Sequence, residues 1–125
     1  MVRHKKQSIG SYFTAFKYAL EGLVHAYQQH PSFKIEVIAA IMTIILGVSL
    51  HITRGEWIII TWVIFSVLVA ELLNTSVETA LDYLAIEHHI DVKIAKDVAA
   101  GAVLLLSIAS VIVGGLIFIP HILNL

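Results

Sequence analysis

Three long apolar runs constrain the fold of this chain more than any other feature of its sequence. They cover 33–52, 57–70 with its continuation, and 98–119. A transmembrane helix needs about 20 predominantly apolar residues. Of the 125 residues, 58% are hydrophobic and only 14% are charged, whereas soluble domains are usually about 25% charged. The sequence therefore predicts an all-α integral membrane protein with a single domain, 1–125. We place its transmembrane helices at 32–52, 56–86 and 95–119.

The segment before the first apolar run has an amphipathic pattern. Residues 1–10 form a basic, polar tail. In 11–29, apolar side chains recur at roughly helical spacing, with polar residues such as Lys17 and Glu21 between them. A packed helix of a soluble domain shows the same pattern, but the three spans that follow favour a helix lying in the membrane interface. We therefore expect an N-terminal amphipathic surface helix at 11–29.

The basic residues predict the orientation in the membrane. Five of them precede or open the first apolar run, and they are Arg3, Lys5, Lys6, Lys17 and Lys34. Arg54 alone lies in the first connection, two lysines lie in the second connection at 83–97, and none follows Ile119. By the positive-inside rule, the N-terminus and the second connection are cytoplasmic.

A one-sided row of polar side chains follows the second apolar run, in the segment ELLNTSVETALD (71–82). Because a helix advances 100° per residue, offsets of 0, 3, 4, 7 and 11 fall on one face. We call this face the acidic row, and its members are Glu71, Asn74, Thr75, Glu78 and Asp82. Carboxylates at the edge of a bilayer are costly and mark functional sites by default. The acidic row therefore predicts a site at the cytoplasmic surface.

The spacing of the acids indicates separate chemical tasks. Glu71 and Glu78 lie two turns apart, about 10 Å along the axis, so they cannot form one mononuclear site unaided. One carboxylate suits proton removal from a hydroxyl, and another suits a divalent cation, with oxygen ligands favouring Mg²⁺ over zinc. Lys96 and Asp97 add an ammonium for phosphoryl charge and one more oxygen. This chemistry points to phosphate groups at the site.

Several classes of site are excluded by what the sequence lacks. It contains neither a GxxxxGK[ST] loop nor GxGxxG, which excludes a P-loop and a protein-kinase nucleotide site. It contains no cysteine, so thiolate and disulfide chemistry are excluded as well.

Two segments closely resemble the signature of the prokaryotic diacylglycerol kinase family, which includes undecaprenol kinases. They are ELLNTSVE (71–78), followed by Asp82, and AKDVAAGAV (95–103). The resemblance extends over nearly the whole chain, because the N-terminal helix, the three spans and the total length also agree. It implies a homotrimeric bundle in the bacterial inner membrane, with its N-terminus in the cytoplasm. Each active site lies between subunits on the cytoplasmic side and uses ATP and Mg²⁺.

The resemblance also implies roles for individual residues. Glu71 corresponds to the catalytic base that takes the proton of the lipid hydroxyl, and Asn74 corresponds to its polar neighbour. Glu78 corresponds to a metal-binding carboxylate. The residues that would line the ATP site, with Lys96 on the phosphates, are Asp82, Glu87, His89, Lys96 and Asp97.

One position departs from the family pattern. Three residues before Phe33 the family commonly has a metal-binding glutamate, but this chain has His30. Glu36, three residues after Phe33, matches an acidic position of some members. Either the metal shell is rearranged, with Glu36 or His30 supplying a ligand, or one ion binds less tightly.

The expected function is that of a membrane lipid kinase. It would transfer the γ-phosphate of ATP to the hydroxyl of diacylglycerol, a lipid alcohol that enters from the bilayer, and no nucleic-acid partner is expected. Undecaprenol is the alternative substrate on the same scaffold. A non-catalytic membrane oligomer with a pore lined by acids is a further alternative. A transporter subunit is less favoured, because we see no inverted repeat.

Overall fold

The computed structural model describes residues 8–84 and 89–125, and these form four α-helices. The helices are α1 (Ile9–Gln29), α2 (Pro31–Ser49), α3 (Arg54–Leu84) and α4 (Ile90–Leu123). Helices α2, α3 and α4 are each long and apolar enough to cross a membrane. The all-α class and the three candidate spans predicted from the sequence are therefore confirmed.

Large apolar side chains cover much of the surface of the spans. Trp62 is 73% exposed, Leu105 is 71% exposed and Val111 is 75% exposed. Contiguous apolar surface of this extent marks a protein or membrane contact. The chain therefore has the surface of a protein that faces lipid or other subunits along most of its length.

Helix α4 packs antiparallel to α3, and this is the most extensive contact between helices. At one end of the pair, a cluster of buried side chains joins the two helices to the turn after α2. Its members are Ile52, Ile60, Ile117 and Phe118. Helix α2 packs on α3, and α1 packs on α2, over smaller areas. The pair α3–α4 is therefore the frame on which the rest of the chain is arranged.

A tight turn connects α2 to α3. The amide of His51 donates to the carbonyl of Val48, and the amide of Ile52 donates to the carbonyl of Gly47, each at 3.2 Å. This pair of bonds is a Schellman motif, and His51 has the left-handed φ of 53° that the motif requires. The turn directs Ile52 into the buried cluster.

Gly47 allows the indole of Trp57 to cross α2 closely. A Cβ atom at residue 47 would lie 2.9 Å from Cη2 of Trp57 and 3.1 Å from Cδ1 of Ile52. Both distances are shorter than ordinary carbon–carbon contacts of about 3.5–4.0 Å. Only glycine therefore fits this position without moving its neighbours.

Glu56 organises the start of α3 and its contact with α4. The amide of Thr53 donates to Oε2 of Glu56 at 2.7 Å, and the amide of Glu56 donates to Oγ1 of Thr53 at 3.3 Å. This is a capping box. The same carboxylate lies 3.0 and 3.1 Å from Nε2 of His121 on α4. One side chain therefore caps α3 and ties it to the last turns of α4.

Helix α4 begins at Ile90, whereas the hydropathy pattern placed the start of the third span at 95. The difference arises because hydropathy does not detect a polar first turn. Nδ1 of His89 accepts a hydrogen bond from the amide of Asp91 at 3.2 Å and so caps the helix. The predicted end of the second span at residue 86 lies outside the described residues.

We expect Gly47→Ala to destabilise the fold, because its methyl group would displace the Trp57 ring. The cost of overpacking is about 1–3 kcal/mol. The measurement is the apparent Tm in detergent, recorded at a fixed scan rate. Gly55→Ala is the matched control, since a Cβ at residue 55 meets no atom within 4 Å. Equal Tm values for the two variants would contradict the packing role of Gly47.

We also expect Glu56 and His121 to be energetically coupled. Glu56→Gln keeps an oxygen for the Thr53 amide but removes the charge that faces His121. Each of Glu56→Gln and His121→Gln should lower the apparent Tm by about 2–4 °C, and the double variant should fall by less than the sum. Strictly additive shifts would show that the two side chains do not interact.

Candidate active site

The acidic row lies on an unbroken stretch of α3, so its members share one helix face as the 3.6-residue period predicts. Glu71 is only 4% exposed although it is ionisable. Asn74 and Glu78 are half-buried, and Asp82 is exposed. Burial therefore decreases along the row, from an enclosed carboxylate at one end to a solvent-facing one at the other.

Glu71 has an acidic neighbour on α2. The half-buried Glu36 lies close enough for its charge to interact with that of Glu71. Within residues 8–84 and 89–125, no lysine, arginine or histidine is within 4.0 Å of either carboxylate. Two neighbouring carboxylates without a cation disfavour the doubly charged state. The arrangement therefore favours uptake of a proton or a cation.

Asn74 carries an unsatisfied polar atom at the same level. Its Oδ1 is buried and has no hydrogen-bond partner among the described residues. A buried polar atom without a partner is uncommon in folded proteins and indicates a role in binding or catalysis. This oxygen lies one turn of α3 beyond Glu71, so both side chains serve the same part of the site.

The oxygen atoms at the site suit Mg²⁺. Among the described residues, no three histidine, aspartate or glutamate side chains come together as a metal cage. Mg²⁺ needs no such cage, since one or two carboxylates usually hold it together with waters and substrate phosphates. Glu36, Glu78 and the free Oδ1 of Asn74 are all hard oxygen donors of this kind. The residues present therefore fit the metal that the family resemblance implies.

The two candidates for the missing metal ligand, Glu36 and His30, line different cavities. Glu36 lines a largely apolar cavity of about 430 Å³ between α2, α3 and α4. His30 lines a cavity of about 840 Å³ between α1 and α3. Its ring is edge-on to that of His25, with the centroids 6.2 Å apart. The structure thus brings Glu36 to Glu71, and it brings His30 to His25.

Three of the residues predicted for the nucleotide site lie near the ends of α3 and α4 that the 85–89 connection joins. Nζ of Lys96 donates to Oδ1 of Asp82 across the two helices. Asp97 pairs instead with Lys93, whose Nζ lies 2.5 Å from Oδ2. The chain therefore brings Asp82 and Lys96 together directly and places Asp97 beside them.

The remaining two residues of that prediction are placed differently. His89 caps α4 and lies 3.3 Å from the Asp91 carboxylate. Glu87 lies outside the described residues. The structure therefore places His89 at the beginning of α4, one to two turns before Lys96.

Sequence reasoning missed two residues of this region. Lys93 was treated only as an orientation signal, although its spacing of four residues from Asp97 is that of a helical ion pair. His25 was assigned no role, and no local pattern indicates its contact with His30, because that contact depends on how α1 meets α2.

An apolar groove leads away from the buried acids. The cavity that contains Glu36 continues along aliphatic side chains of three helices and is widened by small residues, Ala39, Ala40 and Gly114. Its lining contains few polar groups besides the Glu36 carboxylate. An apolar groove with a carboxylate near one end is chemically suited to an amphiphile with a polar head and a long tail.

Comparison with known proteins gives a consistent result. The chain is 34% identical to the undecaprenol kinase of Bacillus subtilis over 115 residues, which are 92% of this chain and 94% of that protein. It is 37% identical to the diacylglycerol kinase of a Synechocystis species over 112 residues, 89% of this chain and 64% of that protein. It is 31% identical to the diacylglycerol kinase of Haemophilus influenzae over 116 residues, 92% of this chain and 98% of that protein.

The family signature matches as well, over residues 17–118, under the description prokaryotic diacylglycerol kinase. This range contains the acidic row, Glu36 and the Lys96–Asp97 pair, and it confirms the resemblance carried by the two signature segments. The chain therefore belongs to the prokaryotic diacylglycerol kinase family, a family of lipid kinases.

Proposed function

We propose that this protein is a membrane lipid kinase that transfers the γ-phosphate of ATP to the hydroxyl of diacylglycerol. The observation that carries the proposal is Glu71, a carboxylate that is 4% exposed and has no cationic partner within the described residues. Its neighbour Glu36 lies on the wall of the apolar groove. A lipid tail in this groove would bring its head-group hydroxyl to the acids.

In this proposal Glu71 is the general base. It accepts the proton of the lipid hydroxyl while the hydroxyl oxygen forms a bond to the γ-phosphorus. The bond between the γ-phosphorus and the β–γ bridging oxygen breaks, and ADP leaves with that oxygen. A buried carboxylate without a cation is a stronger base than an exposed one, because burial disfavours its charged form. Asn74 directs its free Oδ1 to the same centre.

The acids further along the row would hold the nucleotide. Mg²⁺ bound with ATP would offset charge on the phosphates, and Glu78 and Glu36 are the residues that we assign to hold it, with His30 as a second candidate. Lys96 would donate to the phosphates, since an ammonium can follow charge as it moves to the leaving group. Asp82, Glu87, His89 and Asp97 would line the rest of the nucleotide site.

We also propose a placement in the bacterial cytoplasmic membrane, with the N-terminus and the acidic row on the cytoplasmic side. Tyr12, Phe13 and Phe16 of α1 are 62%, 73% and 65% exposed, which supports a helix that lies in the lipid interface. A homotrimer with shared active sites agrees with the half-open acidic row, because partner helices would complete its enclosure.

Undecaprenol is the second candidate substrate. The Bacillus subtilis relative named undecaprenol kinase aligns with 92% of this chain at 34% identity. Both alcohols present a primary or secondary hydroxyl on an apolar tail, so the same base and groove would serve either one.

Glu71→Gln should abolish most of the activity with little effect on ATP binding. The amide keeps the size of the side chain but does not accept the proton, and a general base is typically worth about 10²–10⁴ in rate. The assay measures transfer of labelled phosphate from ATP to diacylglycerol by purified protein in mixed micelles. Glu21→Gln is the control, since Glu21 is an exposed carboxylate on α1. A Glu71→Gln enzyme with wild-type kcat would contradict the role.

A direct comparison of the two alcohols tests the substrate. We expect kcat/KM for diacylglycerol to exceed that for undecaprenol by about tenfold or more, a factor that one or two differing contacts supply. Both lipids are offered at equal mole fraction in the same micelles. The opposite ratio would assign the enzyme to undecaprenol, and phosphorylation of neither would favour the non-catalytic oligomer.

A further inference from the structure

The ion pair between Asp82 and Lys96 connects the two helices at the nucleotide end of the site. Asp82 lies two residues before the end of α3, and Lys96 lies in the second turn of α4. The Lys96 side chain is 33% exposed and that of Asp82 is 66% exposed. Lys96 is therefore the more enclosed partner, and its ammonium is directed to the α3 side of the helix pair.

This pair contributes little to the stability of the fold. Ion pairs as exposed as this one are screened by solvent and lose side-chain entropy, so many have no measurable effect on folding. Its consequence is local instead, since it selects one position for a flexible lysine side chain. Lysine has a long stem with large rotamer entropy, and a contact that restrains it reduces the entropy lost when a ligand binds.

A second ion pair keeps the neighbouring acid away from Lys96. Asp97 follows Lys96 directly in the chain, but its Oδ2 lies 2.5 Å from Nζ of Lys93. Residues 93 and 97 lie on one face of α4, whereas residues 96 and 97 are 100° apart. Among the described residues, Asp82 is therefore the carboxylate within 4.0 Å of the Lys96 ammonium.

We propose that Asp82 is a positioning residue that holds the Lys96 ammonium beside the acidic row before the nucleotide binds. The inference rests on the proposed kinase function and gives Asp82 a role that is exerted through Lys96. The ammonium has three donors, so it keeps its bond to Asp82 while a second N–H donates to a phosphate oxygen. The lysine then needs no rearrangement when ATP arrives.

A double-mutant cycle on ATP kinetics tests this role. Asp82→Asn keeps the size of the side chain and removes the charge, and it should raise KM for ATP about threefold to tenfold with kcat changed by less than about twofold. Lys96→Gln should raise KM further. Adding Asp82→Asn to Lys96→Gln should cause no additional rise, because the lysine to be positioned is gone. Asp82→Glu should restore most of the affinity.

Glu21→Gln serves as the matched control, because it breaks an exposed ion pair with Lys17 at 3.8 Å on α1. It should leave KM for ATP unchanged. An equal effect of Asp82→Asn with and without Lys96 would overturn the proposal, since Asp82 would then act on the nucleotide or its metal directly. A lower KM for Asp82→Asn would also overturn it, because Asp82 would then compete with the phosphates.

A zero-length carbodiimide cross-link gives a readout that does not require kinase activity. We expect an amide between Asp82 and Lys96 in the nucleotide-free protein, identified by peptide mass spectrometry, and none in Asp82→Asn. The absence of this cross-link in the wild type would overturn the inference. If the wild type phosphorylates neither lipid, the proposed function fails. If it is active but the cycle is additive, the positioning role alone fails.

Discussion

The packing of α4 along α3 is the contact on which the site depends. In a membrane, apolar contact alone gives helices little preference for one another over lipid, so close fit and polar bonds set their register. Here the two helices share a buried cluster and carry an ion pair at each end, Glu56 with His121 and Asp82 with Lys96. In both pairs the acid lies on α3 and the base on α4. This register is what places the α4 lysine beside the acids of α3.

Hydropathy and helical period were sufficient for the spans and the acidic row. Both signals survive because α3 runs without a break from Arg54 to Leu84, so spacing in the sequence translates directly into a helix face. The helix ends were less predictable, because they depend on single hydrogen bonds. His89 starts α4 by capping it, and His51 ends α2 in a left-handed turn, and neither residue is a strong signal for that role.

Residue types identified the chemistry of the site, but packing determined the partners. Lys96 and Asp97 are adjacent in the chain, yet they form separate ion pairs with Asp82 and Lys93. The spacing of Lys93 and Asp97 was readable from the sequence, whereas the cross-helix pair required the register of α3 and α4. Likewise, the sequence left both His30 and Glu36 as substitutes for the family's glutamate. The turn of α2 separates them into two cavities, and only Glu36 meets Glu71.

The length of α3 has a consequence for how this family can vary. Its 31 residues extend for about 46 Å, well beyond a hydrocarbon layer of about 30 Å. The acids therefore extend above the lipid on a rigid rod, with no loop between the anchor and the chemistry. Inserting one residue between Ala70 and Glu71 would rotate all five polar groups by 100° and raise them by 1.5 Å together. Length changes in descendants of such an enzyme are thus confined to the connections between rods.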